Sequence, residues 1–255
     1  MGLQKVYGID SGCGNFKFYS QFKNNIYMEK NMIAVRKDRK VIAVGDNAYE
    51  MYEKTPSNIQ VASPMSAGLI ADVPRMEFIL YHLINKNDRI PFWGGAFYFA
   101  IPMNLSHLEQ RTYDTVTNGG RMHNNRVFMV EKPIADAIAL DISVEKTKGS
   151  MIVNIGDQST ELSILSAGKV IINKTLPIGG MQMNQAICEG IRKNYKLQIG
   201  NRTANRLKLV MGNLGGKTIE ARKVYGIDSL SGLPREEIIT AQIIQEALIK
   251  QITAI

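Results

Sequence analysis

Cysteine, histidine and tryptophan are scarce in this chain of 255 residues: two, three and one respectively. Cys13 and Cys188 are too few for a disulfide framework and fit a reducing compartment. Together with His82, His107 and His123 they show no metal-ligand spacing, so no structural zinc is expected. No run comes near the roughly 18 consecutive apolar residues of a membrane-spanning helix. Met1-Gly2-Leu3-Gln4-Lys5 leads straight into a strand without a signal-peptide layout. Val6 stands where a myristoylation motif requires Ser or Thr. Low-complexity tracts are missing, and so is a basic stripe. Lys and Arg number 31 against 23 Asp and Glu, a net charge of +8. The positive residues are scattered over 36–40, 121–126, 192–193 and 202–208, without interleaved aromatics, so nucleic-acid binding is not expected. Attraction to an anionic membrane surface or an ordinary solvated basic surface accounts for the excess. The remainder is globular, with 45% hydrophobic and 21% charged residues, enough for one large or two ordinary domains.

One short pattern occurs twice. Val6-Tyr7-Gly8-Ile9-Asp10-Ser11-Gly12-Cys13-Gly14-Asn15-Phe16-Lys17-Phe18-Tyr19 reads as an apolar strand, an acid, a Gly-punctuated turn and a second alternating strand. Met151-Ile152-Val153-Asn154-Ile155-Gly156-Asp157-Gln158-Ser159-Thr160-Glu161-Leu162-Ser163-Ile164-Leu165 repeats it. Asp10 matches Asn154, Gly12 matches Gly156 and Asn15 matches Ser159. One copy alone is a glycine-bearing β-turn. Two copies with helical segments between them predict two related lobes that present tight turns to one site. Backbone N–H groups of such turns bind phosphate, and an acid at a strand end suits a hydrated metal ion. The pair reads as a nucleotide clamp with one jaw altered.

The order along the chain is α/β. Lys5 to Asp10 and Phe16 to Phe22 form a hairpin; Asn31 to Arg36 and Lys40 to Val44 are short strands; Asp46 to Glu53 is a short helix and Pro56 to Pro64 a loop. Apolar spacing predicts a helix over Pro74 to Asn85, then a strand over Phe97 to Ile101. Ser106 with Glu109 opens a helix to Asn118 as N-cap and capping partner. Arg126 to Val130 is a strand, and Pro133 sits where an opening helix tolerates proline. After the second hairpin come a strand (Val170 to Lys174), helices (Gln182 to Tyr195 and Arg202 to Val210), a strand (Lys217 to Tyr225) and a closing helix (Ile238 to Ile255). That helix reaches the last residue without a C-cap.

These residues identify a family. The chain resembles the bacterial actins of the MreB type, within the actin, sugar-kinase and heat-shock-chaperone ATPase superfamily. Gly8-Ile9-Asp10-Ser11-Gly12-Cys13-Gly14-Asn15 is similar to the family's first phosphate loop. Ala43 to Ala48, Lys54 to Ile59 and Pro64 to Asp72 resemble its small-lobe segments. Gly179-Gly180-Met181-Gln182-Met183 and Asn194 to Lys208 resemble the second lobe's nucleotide-side helices, and Gly226 to Pro234 a further segment of that lobe. The resemblance implies an actin-like, ribonuclease H-like duplicated fold. Its first lobe would cover 1–148, with a small-subdomain insertion at about 32–72, and its second, incomplete, 149–255. It implies an ATP and magnesium site built from Asp10 (the metal ligand), Gly12, Cys13, Gly14, Asn15, Gly156, Asp157, Gln158, Ser159, Gly179, Asn205 and Lys208. It also implies a cytoplasmic filament subunit on the inner face of the membrane that takes part in cell-shape determination.

Where this chain departs from the family pattern, hydrolysis is put in question. Lys132 occupies the place of the glutamate that positions the attacking water, with Glu131 one residue earlier and pointing elsewhere. Asn154 replaces an aspartate that holds magnesium through water. Asp157 and Gln158 replace small residues, and a carboxylate beside a triphosphate costs about 1 kcal/mol or more. Asn205 falls where relatives carry the acid that contacts ribose. The expectation is ATP binding with weakened or absent hydrolysis. The alternative is a non-catalytic truncated paralogue that caps or regulates a true bacterial actin. No Gly-rich adenosine-binding turn follows Gly232, which fits either a fragment of a longer product or a natural truncation. A sugar or small-molecule kinase would need a carboxylate base and an inserted pocket, and neither is seen. Finally, Lys86-Asn87-Asp88-Arg89-Ile90-Pro91-Phe92-Trp93-Gly94-Gly95 carries the sole Trp at a loop tip. Ile90, Phe92 and Trp93 are therefore expected to enter a membrane interface, and the family resembles this in carrying a short hydrophobic loop there.

Overall fold

The computed structural model describes residues 4–143, 145, 148–215 and 220–255. The chain forms two compact units, one comprising 1–156 with 161–175 and the other 157–160 with 176–255.

The first unit is built on a five-stranded sheet. Its members are β1 (Val6–Ser11), β2 (Asn15–Ser20), β3 (Asn25–Lys30), β9 (Ala96–Ile101) and β10 (Arg126–Glu131), in the order β10-β9-β1-β2-β3. β1, β2 and β3 pair antiparallel, whereas β1 with β9 and β9 with β10 are parallel. Alternation puts Tyr7, Ile9, Phe16, Phe18, Phe97 and Phe99 into one core, as the two-residue period of a strand requires. Between β3 and β9 lie β4 (Ile33–Arg36), β5 (Val41–Val44), α1 (Asp46–Met51), β6 (Ile59–Ala62), β7 (Met65–Ser66), β8 (Leu69–Ile70) and α2 (Val73–Asn87). β5, β4 and β6 form a small separate sheet. α2 starts at the N-cap Asp72, whose carboxylate accepts from the Arg75 amide at 3.0 Å, and it buries Met76, Ile79, Leu80, Leu83 and Ile84 on the core. α3 (His107–Asn118) carries the expected reciprocal Ser106–Glu109 capping box. α4 (Lys132–Ala139) begins with Pro133 in its first turn. β11 (Ser150–Ile155), β12 (Thr160–Ser166) and β13 (Lys169–Leu176) form a three-stranded sheet that buries Ile152 and Leu165 with Ala137.

The second unit packs α5 (Gly180–Tyr195), α6 (Asn201–Met211) and α7 (Ala241–Ile252) against a sheet of β14 (Leu197–Gln198), β15 (Ala221–Asp228) and β16 (Pro234–Thr240). Its core joins Ile187, Ile191, Leu197, Leu207, Val224, Ile239, Ile244 and Leu248.

Several elements differ from the sequence-based expectation. β3 was not expected; it pairs along β2 from Asn15↔Lys30 to Ser20↔Asn25. The Pro56 to Pro64 segment is not all loop, since Ile59–Ala62 pairs with β4; four residues between prolines are too short to show a period. Ile238 to Thr240 is strand, not the start of the closing helix. β16 is charged and opens on Pro234, and its pairing with β15 from Ala221↔Thr240 to Ile227↔Pro234 overrides its weak propensity. The expected strand from Lys217 is observed from Ala221, and 217–219 lie outside the described residues.

Candidate functional site

In the first unit the site grows from the β1–β2 hairpin. Antiparallel register sets Asp10 directly opposite Lys17, close enough for their side chains to interact. Lys17 Nζ lies 2.9 Å from Asp10 Oδ2. The other carboxylate oxygen, Oδ1, is 3.2 Å from Lys132 Nζ. Lys132 is the first residue of α4, and β10 runs parallel to β9 and, through it, beside β1; that topology delivers α4's first turn to the end of β1. Glu131, one residue earlier, is exposed. Burial pushes the Asp10 carboxyl up, but the charge of Lys132 and the hydrogen bond and charge of Lys17 outweigh it and hold Asp10 below the ordinary 3.8. Burial likewise pulls the Lys132 ammonium down. The charge and hydrogen bond of Asp10, with Asp136 and Glu161 behind, outweigh that and raise it above 10.5. Asn154, on β11, donates its amide to Asp136 Oδ2 at 2.6 Å.

The turn after Asp10 is held through its carbonyls. Gly12 N donates to Asn15 O at 3.0 Å, and a Cβ on Gly12 would sit 3.1 Å from that same oxygen. Asn31, fully buried, donates through Nδ2 to Gly12 O at 2.8 Å and through its backbone N to Gly14 O at 3.2 Å. Ser63 Oγ donates to Cys13 O at 3.0 Å. In a trans peptide the carbonyl and the following N–H point in opposite directions, and no peptide bond among the described residues is cis. The N–H groups of Cys13, Gly14 and Asn15 therefore each point opposite to a carbonyl that Asn31 or Ser63 holds. Sequence reasoning missed Asn31 and Ser63. Their only signal is a polar residue placed where neighbouring strands are apolar.

In the second unit Asp157, Gly179 and Lys208 come together. Met181 N donates to Asp157 O at 2.6 Å, Gly179 N to Gln182 Oε1 at 2.9 Å and Lys208 Nζ to Gly180 O at 3.0 Å. A Cβ on Gly180 would lie 3.2 Å from Lys208 Nζ and 3.6 Å from Asp157 Oδ1, so glycine lets an acid and an ammonium close round the start of α5. Asn205 precedes Lys208 by three residues on α6, the spacing of one helix face. Gln158 and Ser159 are half-buried and Gly156 exposed.

The loop between α2 and β9 is anchored at both feet. Asp88, at the end of α2, is buried and bonded by Lys5 and Ser20. Gly95 N donates to the buried Asn125 side chain at 2.8 Å. Gly94 has φ +89°, and a Cβ there would fall 1.9 Å from Asn124 O. Between these anchors Ile90 packs on the core, while Phe92 and Trp93 are 81% and 70% exposed. Among aromatics described Phe92 meets only His123, in a T-shaped pair with ring centres 5.5 Å apart. Lys86 is paired with Glu29 at 2.6 Å. Lys5 Nζ donates to Arg89 O at 2.8 Å and lies 4.5 Å from the ring centre of Phe22, itself exposed. Phe22 thus adjoins the loop's foot, a neighbour that sequence spacing does not reveal.

The family model described as MreB/Mbl protein matches residues 4–255. The cell shape-determining protein Mbl of Bacillus cereus is 31% identical over 244 residues, covering 94% of this chain and 73% of that protein. Among solved structures, MreB 5 of Spiroplasma citri bound to AMPPNP superposes with a TM-score of 0.92 at 26% identity, covering all of this chain and 77% of the other. A MamK double helical filament gives a TM-score of 0.75 at 18% identity, over 97% of this chain and 77% of that chain, a likeness of fold. With the duplicated hairpins and a family match over nearly its whole length, the chain belongs to the MreB/Mbl family of actin-like proteins.

Proposed function

We propose that this protein is a nucleotide-binding subunit of a cytoskeletal filament that takes part in cell-shape determination and turns ATP over slowly or not at all. Membership of the MreB/Mbl family and the AMPPNP-bound structural neighbour support nucleotide binding. The observation that carries the loss of hydrolysis is the Lys132–Asp10 pair. An ammonium points at Asp10 from the position where the resemblance expects a water-positioning glutamate, and a lysine cannot accept a proton from attacking water while charged. Gly12 to Asn15 are the proposed phosphate nest of the first lobe. Gly156 to Ser159, Gly179, Asn205 and Lys208 are the second lobe's proposed share of nucleotide contacts, in a duplication dividing near 148/149.

Magnesium fits these residues poorly. Asp10 has an ammonium on each oxygen, and Asn154 supplies an amide that donates to Asp136. The loop is proposed to rest with Phe92 and Trp93 on the inner surface of the cytoplasmic membrane, with Phe22 beside it; Ile90, expected there too, packs on the core instead. The same Lys132–Asp10 pair also suits a non-catalytic regulator of another bacterial actin. Equilibrium binding of a fluorescent ATP analogue, followed by sedimentation alone and with such a paralogue, tests both. Binding with sedimentation alone supports the filament subunit. Sedimentation only with the paralogue supports the regulator, and no nucleotide binding sinks the first reading.

A further inference from the structure

We infer that this chain holds the phosphates of its nucleotide without a divalent cation, the side-chain ammonium groups of Lys17 and Lys132 standing in for the metal. The inference rests on the nucleotide-binding reading above and concerns how the phosphate charge is met.

Three features of the first unit carry it. The first is occupancy of the acid. A hydrated divalent cation at Asp10 needs the lone pairs of its carboxylate. One oxygen faces Lys17 Nζ at 2.9 Å and the other Lys132 Nζ at 3.2 Å, so a cation that approaches either oxygen meets the repulsion of an ammonium already on it. The second is the donor set. Magnesium is held by carboxylates together with substrate phosphates and water. The residue matching Asp10 in the repeated hairpin is Asn154, whose amide nitrogen is spent on Asp136 at 2.6 Å. Among the described residues no group of three or more His, Cys, Asp or Glu side chains is placed to hold a metal ion. The third is charge and position. Two ammonium groups around one carboxylate carry the same formal charge as one divalent cation, and lysine is a regular phosphate partner as a point charge. Both arrive on rigid elements, Lys17 by strand register across the hairpin and Lys132 at the first position of α4. The glycine turn of Gly12 to Asn15 follows Asp10 within five residues. Lys132 is only one-quarter exposed and Lys17 about half. The carboxylate therefore holds the Lys132 ammonium in a partly desolvated place, where its attraction for an anion is stronger than in open water.

The test is the affinity of purified protein for AMPPNP, measured by calorimetry with excess magnesium and again with EDTA. The inference predicts dissociation constants that differ by less than about tenfold, the equivalent of 1.4 kcal/mol. Binding more than about tenfold tighter with magnesium overturns it while leaving the nucleotide reading in place. No binding in either buffer overturns the nucleotide reading and the inference with it. Lys132→Glu, checked for folding by its melting temperature, sharpens the result. It should lose at least about tenfold in affinity in EDTA and recover part of that loss on adding magnesium. A Lys132→Glu protein that binds in EDTA as the parent does contradicts the role given to Lys132. The parent's own comparison of the two buffers stands whether or not that variant folds.

Discussion

Replacing Phe92 by serine while keeping Trp93 isolates the membrane contact of the α2–β9 loop. The two rings are 81% and 70% exposed, so at about 200 Å² per aromatic side chain they offer on the order of 300 Å² to a lipid surface. At about 25 cal/mol per Å², full burial is worth roughly 7 kcal/mol, and half-burial at an interface roughly half of that. Phe92 supplies about 2 kcal/mol of this on half-burial. Arg89 adds about 1 kcal/mol on anionic lipid; Lys86 adds less, because Glu29 already holds it. Phe92→Ser should therefore weaken vesicle binding by about thirtyfold, and filament assembly would multiply the effect. The ring is exposed and pairs only with His123 among the aromatic contacts described, so folding should be little affected. Trp93 is the sole tryptophan, and its emission reports the loop without other indoles. It should be red-shifted in buffer, move to the blue with anionic vesicles, and respond far less in Phe92→Ser. Emission that ignores vesicles in the parent protein refutes the membrane role.

Gly94→Ala should cost about 2–4 kcal/mol in denaturant unfolding, since φ is +89° and the added carbon meets Asn124 O at 1.9 Å; an unchanged midpoint would show that the loop relaxes freely. Asn31→Ala should cost about 1–3 kcal/mol by stranding the carbonyl of Gly12, while the backbone bond to Gly14 O stays, and it should weaken nucleotide binding more than alanine at the exposed Asn58 does. Asp10 titrates below its ordinary value in the folded chain, so its contribution is present above about pH 4 and lost as acid takes the pH through the folded value. Lys132→Met should move that titration upward, read from the carboxyl carbon shift by NMR; no movement would mean that the ion pair does not form in solution.

The parts of the fold legible in sequence were those governed by local chemistry. The β1–β2 hairpin, the Ser106–Glu109 box and the Pro133 helix start each depend on residues within a few positions of one another, and each is present. β3 and β16 were illegible because pairing, not composition, makes them strands. The same holds at the site. Asp10 and the glycine turn were readable, yet the partners that define their chemistry are distant in sequence. Lys132 reaches Asp10 across 122 positions, and Ser63 reaches Cys13 across 50. The substitution at Lys132 was visible as a charge reversal. That its ammonium meets Asp10 follows only from the order of β10, β9 and β1 in the sheet.

The central claim is a site that binds nucleotide but has lost the group that positions water. Single-turnover conversion of bound ATP, followed beside the double variant Lys132→Glu with Asn154→Asp, tests it most directly. Loss of that group typically costs about two to four orders of magnitude in rate. The account predicts bound ATP that stays intact in the parent and faster phosphate release, in magnesium, in the double variant. Phosphate release by the parent at the rate of an ordinary bacterial actin, unaffected by changing Lys132, would contradict it.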